Sequence, residues 1–193
     1  MSYNFFALLS RMRYIDRWGL MRNTQVENIQ EHSHQVAVLA HALAVIGREK
    51  FGSTVDPGEA AIGGLYHDAS EILTGDLPTP VKYDNPAIRS AYKAVEAAAA
   101  DSLLSLLPQE FRESFAPYVR EDLDPELLKV VKAADKLSAH IKCLEEIKAG
   151  NDEFKLAARQ TREALERIDL PALGYFMENF LPGFELTLDE LQK

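Results

Sequence analysis

The sequence predicts an all-α fold, a single domain of seven or eight helices spanning residues 1–193. Three observations carry that reading. Apolar residues recur at alternating steps of three and four along nearly the whole chain, and no stretch alternates at the period of two that a half-buried strand requires. A cap residue followed by proline opens a helix at Asp56-Pro57, Asn85-Pro86 and Asp124-Pro125. Glycines at 52, 75 and 150 stand where periodic stretches stop.

The elements follow in order. Phe5, Leu8, Leu9, Met12 and Ile15 predict an amphipathic first helix. A second, from about Glu27 to Lys50, places His32, Val36, Leu39, Leu43 and Ile46 on one stripe. The third starts at Asp56, runs through GGLYHDASEILT and ends near Gly75. Two prolines make DLPTPVKY a loop. A fourth helix extends from Asn85 through the alanine run to about Leu107, and a shorter piece runs from Pro108 to Arg120. The helix opened by Asp124 and Pro125 continues to Ala149, and a seventh covers Asp152 to Ile168. The tail holds a short helix near 172–180 and a last turn after Thr187.

Composition excludes several classes. Net charge is −9, from 30 acidic and 21 basic residues, so no basic surface is expected for a nucleic-acid polymer, although a small anion needs only one or two local cations. The single Cys143 rules out an internal disulfide framework and fits a reducing compartment. The first 19 residues lack a long apolar core and a small-residue cleavage site, so no signal peptide is read. No stretch approaches the roughly 20 apolar residues of a membrane span. The expected location is cytoplasmic.

Four polar residues intrude on apolar stripes. His32 heads the stripe of the second helix, and His67 and Asp68 interrupt the third. Asp135 lies beside Ala134 in the stripe Leu127, Val130, Ala134, Leu137, Ile141. A buried carboxylate persists only when paired or bound to a metal, and one shared ion satisfies all four groups at once. Two imidazoles and two carboxylates form a mixed N/O set. Such a set suits Mn, Co, Fe, Ni or Zn better than Mg, which prefers oxygen shells. Each residue alone has a plainer reading: His32 bonded to a backbone group, Asp135 paired with a lysine or arginine, His67-Asp68 a common dipeptide. Only the conjunction points to a site. His34 and His41 read as packing or surface residues, and His140 as incidental.

The order His32, His67-Asp68, Asp135 resembles the signature of the HD-domain metal-dependent phosphohydrolases. The words RWGLMRN at 17–23, ENIQEHSHQVA at 27–37, YHDASEILTGDLPTPVKY at 66–83 and KAADKLSAHIKCLEE at 132–146 resemble, more specifically, the bacterial HD-domain 5′-deoxynucleotidases. The likeness runs over nearly the whole chain. Gly19 stands where the family commonly has proline. The resemblance implies an HD fold, a homodimer, deoxyribonucleoside 5′-monophosphates as substrates with ribonucleotides disfavoured, and one divalent transition metal per subunit, cobalt favoured. It implies His32, His67, Asp68 and Asp135 as metal ligands, His32, Asp68 and Asp135 also facing the substrate, and Glu71 as the catalytic glutamate. Arg17 would orient the phosphate, and Trp18, Asp76, Leu77, Pro78 and Thr79 would line the nucleotide pocket.

Read as residues, these roles keep their alternatives. Glu71 lies one helical turn after His67, able to move a proton or merely to orient that histidine. Arg17 is a planar, permanently charged fork suited to phosphate, or a solvated arginine. Trp18 walls a sugar or plugs the core, Asp76 faces the site or begins a turn, and Lys82 reads as solvated. Two rival functions stay open: another HD-type phosphodiesterase, and a non-catalytic nucleotide sensor structured by its metal.

Overall fold

A computed structural model of the chain describes residues 2–78 and 85–192. Its α-helices are α1 (Phe5–Leu9), α2 (Ile29–Phe51), α3 (Pro57–Tyr66), α4 (Glu71–Thr74), α5 (Pro86–Ser105), α6 (Gln109–Val119), α7 (Pro125–Lys148), α8 (Lys155–Glu166), α9 (Pro171–Asn179) and α10 (Leu188–Leu191). Seven of these have nine or more residues: α2, α3, α5, α6, α7, α8 and α9. The described residues form no β-strand, only an isolated antiparallel bridge between Asp16 and Asn28. None of the described helices is long and apolar enough to cross a membrane.

Helix α2 is central and packs on α3, α7 and α9, and α7 packs in turn on α3 and α8. The largest core cluster joins Val36, Leu39 and Leu43 of α2 to Val130, Ala134, Leu137 and Ile141 of α7, and closes with Leu165, Leu173 and Phe176. Burying each large aliphatic side chain contributes roughly 1.5–3 kcal/mol. A second cluster ties Phe5 of α1 to Leu103, Leu104 and Leu107 around the end of α5, and to Ala69.

Two glycines set how close α3 comes. A Cβ on Gly64 would sit 2.7 Å from the Ala37 backbone, and one on Gly63 would sit 2.8 Å from Val131 Cγ2. Bare backbone at these positions lets α3 lie against α2 and α7 together.

Capping explains most boundaries. Asn28 caps α2 in a reciprocal box with Glu31, so the helix begins at Ile29 rather than at Glu27. Asp56, Asn85 and Asp124 cap α3, α5 and α7 as their sequences indicate. Two expectations are corrected. The first helix ends at Leu9 and tightens into a 3₁₀ segment, Ser10–Tyr14, and Ile15 is already extended. The third helix does not reach Gly75: it stops at Tyr66, and residues 67–70 form turns before α4. There the backbone bonds shorten to i→i−3, with Ala69 N donating to Tyr66 O, Glu71 N to Asp68 O and Ile72 N to Ala69 O. The His67 ring takes over Gly64 O, the carbonyl that would have closed the next α-turn. His67 and Asp68 thus sit on a tightened corner, not on one face of a continuous helix.

Candidate metal centre and its surroundings

The corner delivers His67 and Asp68, α2 delivers His32 and α7 delivers Asp135. Ligand atoms of His32, His67 and Asp135 lie within 4.8 Å of one another. Asp68 Oδ2 is 3.0 Å from His67 Nε2 and 3.6 Å from His32 Nε2. Asp135 Oδ1 lies 3.2 Å from His32 Nε2 and 4.0 Å from His67 Nε2. Both histidines are buried and the aspartates are half-buried.

Hydrogen bonds behind the rings orient their lone pairs. His67 Nδ1 donates to Gly64 O at 2.8 Å, which leaves Nε2 as the unprotonated nitrogen of the neutral ring. That Nε2 is buried and makes no hydrogen bond despite its nearness to Asp68. His32 Nδ1 lies 3.1 Å from Ser138 Oγ, whose own proton goes to Gln35 Oε1 at 2.6 Å. The serine therefore accepts from His32 Nδ1–H, and His32 Nε2 also faces inward with a lone pair. Two imidazole nitrogens and two carboxylates facing one another are a donor set that a cation would satisfy. The donor set and the orphaned His67 Nε2 both fit a divalent transition ion.

The surrounding charges act unequally on the two rings. Burial and the Arg17 charge lower the basicity of His32. For His67 burial also lowers it, but Asp68 and Asp135 prevail and raise it above the ordinary histidine value. Burial pushes the Asp68 and Asp135 carboxyls up, yet both stay below the usual range. His67, His32 and Arg17 hold Asp68 down, and His32, His67 and Arg17 hold Asp135 down.

Arg17 lies at the rim with its side chain 12% exposed, Nη1 3.3 Å from Asp68 Oδ2 and Nε 3.1 Å from Glu27 Oε2. Burial opposes its charge, but Asp68, Asp135, Glu27 and Asp76 together raise its affinity for the proton. Trp18 is half-buried, tilted against Phe154 with ring centroids 5.4 Å apart, and donates Nε1–H to the same Glu27 oxygen at 3.2 Å. Its backbone has φ +59°, unusual for a bulky residue. Burial raises the pKa of Asp76 against the Arg17 charge, which lowers it. Leu77 and Pro78 are half-buried, whereas Thr79 and Lys82 lie outside the described residues. Glu71 is buried in the first turn of α4, its N–H bonded to Asp68 O. His34 and His41 are exposed, and His140 is buried against Thr161 Oγ1 at 2.9 Å.

Several residues around the centre escaped the sequence reading: Ser138 and Gln35 behind His32, Glu27 behind Arg17, and the Lys142–Glu146 pair. Glu146 is 1% exposed and accepts from Lys142 Nζ at 2.5 Å, Thr24 N at 2.9 Å, Thr24 Oγ1 at 2.7 Å, Asn151 Nδ2 at 2.8 Å and Gln25 N at 3.2 Å. Lys142 also donates to Gln25 O at 2.5 Å. This pair fastens the segment after Trp18 to α7. Asp135, Ser138, Lys142 and Glu146 recur along α7 at steps of three, four and four, a polar stripe that could have revealed them.

The helical body, with a histidine from α2, a His-Asp corner after α3 and an aspartate from α7, has the architecture of the HD-domain class. An HD-domain phosphohydrolase from Listeria innocua superposes with a TM-score of 0.82 at 24% identity, covering 94% of this chain and 88% of its own. The cyanophage S-2L HD phosphohydrolase DatZ, bound to dA and one catalytic Zn²⁺ ion, superposes at 0.62 with 22% identity, covering 92% of this chain and 96% of its own. Within that class, the model of the 5′-deoxynucleotidase YfbR-like family matches residues 4–184. A 5′-deoxynucleotidase of Vibrio parahaemolyticus is 52% identical over 189 residues, 97% of each chain. The Escherichia coli 5′-deoxynucleotidase YfbR is 50% identical over 191 residues, 98% of this chain and 96% of the relative. The chain belongs to the 5′-deoxynucleotidase YfbR-like family.

Proposed function

We propose that this chain is a metal-dependent 5′-deoxynucleotidase, hydrolysing deoxyribonucleoside 5′-monophosphates to deoxynucleosides and phosphate. The observation that carries the proposal is the clustering of His32, His67 and Asp135, with Asp68 against both imidazoles and the Arg17 guanidinium on Asp68. Asp68, Asp135, Asp76 and Glu27 all lie close enough to Arg17 to act on its charge. A dianionic phosphate monoester entering such a set of carboxylates needs more positive charge than one arginine offers. His32, His67, Asp68 and Asp135 would hold a divalent ion, which would supply Lewis-acid charge stabilisation and lower the pKa of water towards neutrality.

This chain's own groups then divide the work. Arg17 binds a phosphate oxygen and offsets charge as it builds. Glu71, buried one turn after the corner, moves a proton between water and the leaving oxygen. Trp18 and Asp76 border the sugar, with the indole leaving no room or partner for a 2′-hydroxyl and Asp76 accepting from the 3′-hydroxyl. Leu77 and Pro78 complete the pocket wall. The native ion is cobalt or a borderline neighbour among Mn, Zn, Fe and Ni. The working form is a homodimer of single-domain subunits in the cytoplasm.

The test is a phosphate-release screen against a metal panel. The five common deoxyribonucleoside 5′-monophosphates are all hydrolysed, because no further polar set reads the base. AMP and its ribo-counterparts are hardly hydrolysed, and 3′-phosphates not at all. Equal kcat/KM for dAMP and AMP would refute the sugar preference. No phosphate release with any metal leaves the sensor reading in its place.

A further inference from the structure

We propose that Glu27 is a positioning residue that locks Arg17 and Trp18 into one geometry, so that phosphate and sugar recognition are set together. The inference rests on the function proposed above. One carboxylate oxygen, Glu27 Oε2, accepts from Arg17 Nε at 3.1 Å and from Trp18 Nε1 at 3.2 Å. Two adjacent residues assigned to different parts of the substrate therefore share one acceptor.

The backbone that carries this carboxylate is itself fixed. Arg17 N donates to Glu27 O at 2.8 Å and Ile29 N to Ile15 O at 3.0 Å, an antiparallel clip centred on Asp16 and Asn28. Asn28 is the cap of α2, so Glu27 directly precedes the helix that carries His32. The Glu27 side chain is only 14% exposed, which limits the positions its oxygens can take. Arg17 and Trp18 are thereby referenced to the same helix as a metal ligand.

Trp18 needs such support. A tryptophan at φ +59° is strained and stays there only where its surroundings hold it. Glu27 does so from the side-chain end, accepting from the indole N–H at 3.2 Å. The arginine gains as well. Its Nε and Nη1 are committed to Glu27 and Asp68, which fixes the plane of the fork and turns its other donors to a phosphate. A surface ion pair has no such consequence, because it orients nothing beyond itself.

The experiment compares Glu27→Ala and Glu27→Gln with the parent, all metal-loaded. Four quantities are read: kcat and KM for dAMP and AMP, metal content, melting temperature, and the emission of Trp18, the one tryptophan in the chain. In Glu27→Ala the KM for dAMP rises about 10- to 100-fold, the size of one lost charge-assisted hydrogen bond. The preference for dAMP over AMP narrows by a similar factor, and Trp18 emission shifts to the red. Metal content stays at the parental level. Glu27→Gln keeps one oxygen able to accept both N–H groups, so it retains more of the preference and a parental emission. Unchanged preference and emission in Glu27→Ala overturn the proposal. So does a uniform loss of kcat with the dAMP:AMP ratio intact, which marks a purely structural role. If Glu27→Ala does not fold, Glu27→Gln and Glu27→Asp decide by the same ratio and emission. A parent that does not distinguish dAMP from AMP fails the proposed function instead, and Trp18 emission in the variants still reports whether Glu27 holds the indole.

Discussion

Helix α7 carries buried charge at both ends of one polar stripe, and the two ends treat it in opposite ways. Near the C-terminal end, the Glu146 carboxylate is saturated: Lys142, Thr24, Gln25 and Asn151 donate to it from α7 and from two loops. Near the middle, Asp135 faces two imidazole lone pairs and a second carboxylate, and the buried His67 Nε2 has no hydrogen-bond partner. A buried charge with all its partners supplied by the chain is a fastening. A cluster of imidazoles and carboxylates to which Arg17 donates only at Asp68, with His67 Nε2 left unbonded, has the make-up of a cation site. The difference separates structure from site where residue type alone does not, since both ends are made of charged side chains on one helix face.

The largest expected effect comes from breaking the open end. Asp68→Ala removes a carboxylate gripped by Arg17 and aimed at both histidines, so metal content falls and turnover drops to background. Glu71→Ala retains the metal and lowers kcat by roughly 10²–10⁴-fold, the range of a general acid–base group. Metal analysis beside steady-state kinetics separates the two. If the Glu71 variant loses its metal as completely as the Asp68 variant, Glu71 belongs among the ligands or their supports.

Next comes the saturated end. Glu146→Ala strands a buried Lys142 ammonium and the N–H groups of Thr24 and Gln25. The expected loss is about 3–5 kcal/mol in urea unfolding at neutral pH, with metal content per folded chain unchanged. The same carboxylate gives a pH signature. Burial pushes its pKa up, but Lys142, Thr24 and Asn151 hold it well below its ordinary 4.5. A depressed folded-state pKa means that the stabilisation is full above about 4.5 and is lost as pH falls towards the folded value. The stability gap between parent and Glu146→Ala therefore narrows on acidification below 4.5. A gap that is constant from pH 7 to pH 3 contradicts the assignment.

The smallest effect sharpens the boundary between the two ends. Ser138 lies between Asp135 and Lys142 on the stripe and reaches the open centre only through His32 Nδ1. Ser138→Ala releases the tautomer of that ring, and metal affinity drops about 10- to 100-fold. Competition with a chelator measures it.

Much of this was legible in the sequence. Asp56-Pro57, Asn85-Pro86 and Asp124-Pro125 announce their helices because caps act locally, and the four candidate ligands stand out because imidazole and carboxylate interrupt apolar stripes. The corner at 67–70 was not legible. Helical periodicity continues through YHDASEIL, and the break depends on the His67 ring capturing Gly64 O. Nothing in the sequence separates Lys142 and Glu146 from an ordinary solvated i,i+4 pair, since only the tertiary placement of Thr24 and Gln25 buries them. Glu27 was hidden for a related reason: its partners, Arg17 and Trp18, lie ten and nine residues earlier and meet it only through the Asp16–Asn28 bridge.

The most direct measurement is an anomalous difference map from crystals grown with cobalt or manganese. One strong peak per chain is expected among His32 Nε2, His67 Nε2, Asp68 and Asp135, at roughly 2.0–2.3 Å from the ligand atoms, with no peak at Lys142–Glu146. A centre without density, its histidines protonated and paired with Asp68 and Asp135 while the metal binds elsewhere, would contradict the account.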